Sequence, residues 1–151
     1  LPVPPGSKPE PVPQQKAAAA EGTIETLGPF RFVIPGGWGI AERHSDREGI
    51  TMGPAGVKGW PRYITFLQHP GMGPRFPNTP EGIHRAIGRP GTTRAVMVGK
   101  EQHPGLWFSD APGGGGYVLF TTGRSVYMLG YGSPTDTGTL QAIFRSIEPK
   151  P

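Results

Sequence analysis

Cysteine is absent from this 151-residue chain. Without thiols the protein can form no disulfide bond, no thiolate zinc site and no cysteine nucleophile. Acidic residues are also few: the eleven Asp and Glu side chains are scattered, and no two of them are spaced as a pair suited to acid–base catalysis. These two shortages argue against several large classes of enzyme.

Nucleophile and phosphate-loop motifs are missing as well. The chain has no Gly-x-Ser-x-Gly elbow. The run Gly113–Gly116 lacks the lysine and the serine or threonine of a phosphate-binding loop, and it leads into a strand instead of a helix. We interpret it as a flexible connection. The sequence therefore predicts a protein that is not an enzyme and that needs no cofactor.

One histidine and two carboxylates lie within five residues, at His44, Asp46 and Glu48. Alternate positions of a strand share a face, so these three side chains have a spacing that suits a metal site. Arg43 and Arg47 lie among them, however, and the cluster reads equally as a polar turn. We expect no bound metal. The remaining histidines are isolated in the sequence: His69, His84 and His103.

Long apolar runs are also absent, and none reaches the length of a transmembrane helix. The chain begins at Leu1 instead of Met, ahead of a Pro-rich stretch, which is the pattern left when a signal peptide has been removed. We expect an exported protein, periplasmic or extracellular. Trimming of a longer chain is the alternative origin of this start.

Proline is abundant, with 20 residues, and much of it lies near the start of the chain. Proline lacks an amide hydrogen and fixes φ, so residues 1–15 favour the extended polyproline II conformation. Such an arm acts as a spacer or as a ligand for a groove on a partner. We therefore divide the chain into a Pro/Ala-rich extended arm, residues 1–22, and a single folded domain, residues 23–149.

Basic residues are concentrated in the middle of the chain. The net charge is +4 overall, but residues 50–100 carry seven lysines and arginines against Glu81 alone. A basic segment favours acidic partners or surfaces, although the charges of a folded surface often separate in space. Exposed aromatic residues are interleaved with these cations at very few points, so we expect no nucleic-acid partner.

The folded part predicts about nine short strands and two helices. Gly123 and Arg124 form a two-residue loop that joins residues 116–122 and 125–131 as a β-hairpin, and apolar residues on both of its faces indicate a central place in a sheet. Thr79-Pro80 is typical of a helix start. A final helix is indicated by an apolar stripe at Leu140, Ile143, Phe144 and Ile147.

This order of elements predicts the α+β class, with an antiparallel β-sheet of short strands sandwiched by two or three helices. A β-sandwich or a small barrel with a C-terminal helix is the alternative. In either case a connection of about twelve residues, 69–80, interrupts the pattern, and loops of that length are often functional.

The two ends of the domain resemble the Mog1/PsbP-like superfamily. Residues 30–38 give a strand, a Pro-Gly turn and a tryptophan, and the chain closes with residues 127–131, a Ser-Pro turn and a helix that ends in Ser146-Ile147. The resemblance covers residues 23–149 and implies an antiparallel sheet sandwiched by helices. It also implies a non-catalytic accessory or binding role, as in photosystem subunits and many small exported bacterial proteins. It transfers no functional residue to this chain.

We therefore expect an accessory subunit that docks on a larger envelope- or membrane-associated complex. Its Pro-rich arm and the basic region around loop 69–80 are the expected contacts, because Arg and aromatic residues are enriched at protein interfaces. The residues concerned are Pro4, Pro5, Pro11, Pro13, Trp60, Arg62, Arg75, Phe76, Arg85 and Arg89.

The alternative function is a small exported domain that binds an anionic ligand or a lipid head group. The pocket would lie between the sheet and a helix, and arginines would supply the positive charge. These arginines are Arg62, Arg85, Arg89 and Arg94.

Overall fold

The computed structural model describes residues 22–44, 48–55, 63–110, 114–123, 125–132, 135 and 137–151. Two helices lie in these ranges, α1 (Pro80–Ile87) and α2 (Thr137–Ser146). The strands are β1 (Thr23–Leu27), β2 (Phe30–Ile34), β3 (Trp38–Arg43), β4 (Gly49–Pro54), β5 (Ile64–His69), β6 (Gly91–Val98), β7 (His103–Asp110), β8 (Gly116–Thr122), β9 (Ser125–Tyr131) and β10 (Glu148–Pro149).

The strands form two antiparallel sheets. The larger sheet has seven strands in the order β3-β4-β5-β9-β8-β7-β6, so the β8–β9 hairpin lies in its interior, as the apolar residues on both faces predict. The register expected for a two-residue loop is confirmed, with Phe120 opposite Tyr127 and Leu119 opposite Met128. In the smaller sheet, β1-β2-β10, strand β2 of the first hairpin pairs with β10 at the end of the chain.

The main core lies between the two sheets. Phe30, Phe32 and Ile34 alternate along β2 and are buried. Phe30 meets Phe120 edge-on at 5.9 Å between ring centroids, and Phe32 meets Phe66 at 5.2 Å. Helix α2 contributes its predicted apolar stripe to the same core: Leu140, Ile143 and Phe144. The small sheet and α2 therefore share one face of the large sheet.

Helix α1 packs on the opposite face through Ile83, which is buried against a second apolar cluster. Its predicted start is confirmed, since the Thr79 side chain accepts a hydrogen bond from the Gly82 amide. Gly88 ends the helix in the left-handed conformation, with φ at 70°, and its N–H donates to the His84 carbonyl. Glycine tolerates that φ because it has no Cβ.

The expectation of a sheet sandwiched by two or three helices is wrong. Strands make up 53% of the described residues, and the two helices have 8 and 10 residues. A 10-residue helix is about 15 Å long, whereas seven strands spaced about 4.8 Å apart make a sheet roughly 30 Å wide. Helices of this size cover only part of each face. The molecule is therefore a β-rich fold, in which a second antiparallel sheet covers part of one face.

The arm lies outside the described residues, except for Gly22. The boundary between arm and domain, and the contacts expected of Pro4, Pro5, Pro11 and Pro13, stay predictions. Within the described ranges, neither helix is long and apolar enough to cross a membrane.

Candidate functional site

A cleft of about 470 Å³ opens on the face of the seven-stranded sheet that carries α1. Small-molecule sites have volumes of roughly 300–1,000 Å³, so this cleft has a suitable size. We name it the Gly130 cleft after the residue at its floor. The side chains that define it are Tyr63, His69, Arg89, Asp110, Tyr117 and Met128.

Gly130 lies in the interior of β9, between Tyr117 of β8 and Thr65 of β5. No backbone requirement explains the glycine, since its φ is not in the left-handed region. No packing requirement explains it either, because a Cβ added there would meet its nearest atoms, Met128 Cε and the Gly116 carbonyl, at 3.9 and 4.0 Å. Glycine in a strand interior often marks a bulge, a tight bend, or a place where a ligand or another backbone approaches closely. Here it leaves an open hollow over the sheet.

Arg89 and Asp110 form the polar rim of the cleft. Asp110 is the last residue of β7 and pairs with Gly91, the first residue of β6, so the short link from α1 carries Arg89 to its side. The guanidinium donates from Nε and one terminal nitrogen to the two carboxylate oxygens of Asp110. The Asp110 amide in turn donates to the Gly115 carbonyl at 2.9 Å, which holds the carboxylate in place. The two charges of the rim therefore cancel.

Tyr117 forms an aromatic wall. Its hydroxyl is hydrogen-bonded to His84 Nδ1, and the Arg89 guanidinium carbon lies 5.9 Å from its ring centroid and 5.5 Å from that of Phe108. Burial raises the pKa of Tyr117 to about 12, against a smaller opposing effect of the nearby Arg89 charge. The phenol is therefore protonated and uncharged across the physiological range.

His69 closes the side of the cleft formed by β5. Burial lowers the pKa of this imidazole, which favours its neutral form. Its Nδ1 accepts a hydrogen bond from the Gly71 amide at 2.9 Å, so the remaining proton lies on Nε2. The imidazole thus adds a neutral polar edge to the cleft.

The cleft therefore combines an apolar floor, aromatic walls and a rim whose net charge is zero. Arg89 keeps N–H donors that Asp110 does not use, and Asp110 keeps free lone pairs. A ligand that fits this rim offers one acceptor to Arg89 and one donor to Asp110, as an amide edge does. A fully anionic ligand would meet the Asp110 carboxylate.

The structure brings one of the expected partner-binding residues, Arg89, into this cleft. Arg75 is exposed and Phe76 half-buried in the connection between β5 and α1, and Arg85 is exposed on α1. None of these three lines the cleft. Trp60 and Arg62 lie outside the described residues, so their roles stay predictions.

Two cations of the basic middle segment, Arg89 and Arg94, lie on different faces of the sheet. Arg89 stacks on Phe108, whereas the guanidinium carbon of Arg94 lies 4.2 Å from the ring centroid of Trp107. Trp107 and Phe108 are consecutive in β7, so their side chains point to opposite faces. Folding therefore separates charges that are close in the sequence.

The expected polar turn at His44 holds no metal cluster in the part that is described. His44 Nε2 lies 3.2 Å from Thr51 Oγ1, and Asp46 is outside the described residues. No group of three His, Asp or Glu side chains in the described ranges is placed to hold a metal ion. His103 is packed against the rings of Phe30 and Phe120, at 5.9 Å from each.

Sequence reasoning did not identify the floor of the cleft, the Tyr117 wall or the role of Asp110. Gly130 carried a signal, because it interrupts an apolar strand, Tyr127 to Tyr131, at a position where no turn is needed. Asp110 carried no such signal in the sequence, because its contact with Arg89 depends on the β6–β7 register.

No protein-family model matches this chain, and no curated protein is found to match it. The resemblance to the Mog1/PsbP-like superfamily therefore stays a prediction from the two ends of the sequence.

Proposed function

We propose that the protein is a non-catalytic binding protein that holds a small uncharged organic ligand in the Gly130 cleft. The observation that carries this proposal is the glycine at the floor. Neither φ nor packing requires it, and a larger residue at this position would narrow the cleft. A strand-interior glycine weakens a protein by roughly 0.5–1 kcal/mol relative to alanine, so an open floor has a cost that ligand binding would explain.

The state of the polar groups supports binding instead of catalysis. Arg89 is bonded to Asp110, Tyr117 to His84, and His69 to the Gly71 amide. Burial raises the pKa of Tyr117, so its hydroxyl is a poor nucleophile at neutral pH. Groups arranged in this way can orient a ligand, but they do not resemble an activated nucleophile with its base.

The rim also indicates the ligand's charge. Because Asp110 already neutralises Arg89, the geometry favours a neutral planar group with a donor and an acceptor over the anionic ligand considered from the sequence. The aromatic wall and the Met128 floor suit the apolar body of such a molecule. The proposed ligand class is an aromatic or heteroaromatic amide, or a compound with an equivalent edge.

Three probes of one shape test this proposal: benzamide, benzoate and benzylamine. Each is titrated into the full chain and followed by saturation-transfer NMR. We expect benzamide to bind with a Kd on the order of a few millimolar, as its size implies. Each charged probe is attracted by one charge of the rim and repelled by the other, so the cost of removing its own charge from water is not offset and both should bind more weakly.

Gly130→Leu and Gly39→Leu provide the matched pair of variants. Both glycines lie in strands, and a Cβ is accommodated at each without a close contact, but Gly39 lies in β3, away from the cleft. Gly130→Leu should abolish benzamide binding, and Gly39→Leu should leave it unchanged. Equal binding of benzamide by the two variants would overturn the proposal.

A further inference from the structure

The outer strand β6 differs from the other end of the seven-stranded sheet. It has eight residues in unbroken register with β7, and its first five residues are all exposed. Within the described residues no strand pairs with its outer edge. At the other end, β3 is interrupted by an irregularity between Ile40 and Glu42. Bulges and charged residues commonly protect edge strands against pairing. Strand β6 has no bulge in its pairing with β7, and it carries one charged residue, Arg94.

A groove runs beside this free edge, between β6 and α2. It consists of two adjoining hollows of about 300 and 320 Å³ that share Arg94 and Trp107. Trp107 forms the floor of the groove. Its ring meets Phe144 of α2 edge-on, at 5.6 Å between centroids, and its indole N–H donates to the Tyr131 hydroxyl. These two contacts hold the side chain in place. The groove is therefore a rigid surface along the edge of the sheet.

The groove is basic. Arg94 lies over the Trp107 ring, and Arg145 in the last turn of α2 lines the same hollow. No acidic side chain lines either hollow, and neither arginine is ion-paired with a residue that the structure describes. Two cations that have no acidic partner among the described residues, next to unpaired backbone groups, favour an acidic extended chain.

We propose that the β6 edge and its groove bind an extended acidic segment of a partner protein, which adds an eighth strand to the sheet. Backbone hydrogen bonds to β6 provide the affinity, and side chains at alternate positions provide the specificity. On the α2 side the added strand presents Glu or Asp to Arg94 and Arg145. On the other side it presents apolar residues to Met97, which is 56% exposed.

A second copy of this chain fits the edge less well. Antiparallel pairing of β6 with itself would bring two Arg94 side chains close together across the new interface, and like charges on neighbouring strands repel. The arginine therefore acts against self-pairing and in favour of an acidic partner. This inference is independent of the Gly130 cleft, which lies on the other face of the sheet.

The test uses an N-acetylated nine-residue peptide of alternating glutamate and valine, titrated into the isotope-labelled full chain. We expect amide shifts in β6, a shift of the Trp107 indole N–H and a change in the Met97 methyl signal, with weaker binding at high salt. Two backbone-methylated forms of the peptide, blocked at odd or at even positions, test strand addition. At least one of them should fail to bind, and full binding by both would exclude an added strand.

Charge variants complete the design. Arg94→Gln should weaken peptide binding about two- to fivefold, and the double variant with Arg145→Gln should weaken it further, since each removes one charge contact. Arg85→Gln is the matched control, because Arg85 is exposed on α1 and lines neither hollow. Equal losses from Arg85→Gln and Arg94→Gln, or equal binding of a lysine–valine peptide, would overturn the proposal.

Discussion

At the scale of single residues, Asp110 and Gly130 determine the charge and the volume of the Gly130 cleft. Asp110 turns a cationic arginine into a neutral pair, and Gly130 leaves a hollow that any side chain would reduce. The sequence could predict Arg89 as a binding residue because arginine is common at binding sites. It could not predict the neutral rim, because the carboxylate comes from a strand 21 residues further along the chain.

Asp110→Asn should change the charge preference of the cleft. Removing the carboxylate frees the positive charge of Arg89, so we expect benzoate to gain roughly tenfold in affinity while benzamide changes little. The preference of the native protein for benzamide over benzoate should then be lost or reversed. Titration of both probes into the native and variant proteins measures this. Unchanged benzoate affinity would show that the rim does not contact the ligand.

Gly130→Ala should stabilise the free protein by roughly 0.5–1 kcal/mol, because alanine fits a strand better and the site has room for it. The neighbouring Gly116 gives the contrast. A Cβ at Gly116 would overlap the Phe108 carbonyl, so Gly116→Ala should destabilise the protein. Urea unfolding of both variants gives the comparison. A loss of stability in Gly130→Ala would mean that the glycine is structural and that the hollow is incidental.

At the scale of elements, local signals were sufficient for the start of α1, for the apolar stripe of α2 and for most strands. Thr79-Pro80 predicted α1, and the two-residue loop predicted the β8–β9 register. The role of the first hairpin could not be predicted in this way. The alternation of Phe30, Phe32 and Ile34 shows that one face of β2 is buried, but a helix and a second sheet would bury it equally well. This ambiguity led to the wrong fold class.

Thr79→Ala should destabilise the protein by about 1 kcal/mol, because the Gly82 amide loses the side-chain acceptor at the start of α1. Thr79→Ser keeps the hydroxyl and should restore most of the stability. Thr92→Ala, at an exposed position of β6, serves as the control for the loss of an exposed threonine. The three values come from urea unfolding. If Thr79→Ala and Thr79→Ser are equally stable, the cap contributes nothing.

At the scale of the whole molecule, the two faces of the large sheet are covered to different extents. One face packs against the small sheet and α2 and carries the main core, whereas the other is covered only in part by α1 and leaves the Gly130 cleft open. The expected docking on an envelope complex, the export of the protein and the role of its Pro-rich arm stay predictions. Each depends on residues or partners beyond the folded residues that the structure describes.

The stability of the molecule should fall in strongly alkaline solution. Burial raises the pKa of Tyr117 to about 12 and also raises that of Tyr127, against about 10 in the unfolded chain. Between pH 10 and pH 12 the tyrosines of the unfolded chain therefore bind fewer protons than those of the folded protein. The stabilisation is thus complete below pH 10 and is lost as the pH rises toward 12, by up to about 2 kcal/mol for Tyr117.

Tyr117→Phe isolates this contribution. The variant lacks the ionisable phenol, so its stability should decline less steeply between pH 10 and 12 than that of the native protein, even though it also loses the hydrogen bond to His84. Urea unfolding at pH 8, 9, 10, 11 and 12 measures both curves. Parallel curves would show that Tyr117 ionises equally in the folded and unfolded states.

Methyl NMR of the methionines tests the central claim most directly, because the chain has four of them and each reports a different place. Met128 lines the Gly130 cleft, Met97 lies on β6, Met52 is in the core and Met72 is exposed. Added benzamide should shift the Met128 methyl signal and give it a nuclear Overhauser effect to the ring protons, while the other three signals stay in place. An unshifted Met128 signal with saturating benzamide would contradict the assignment of this cleft as the binding site.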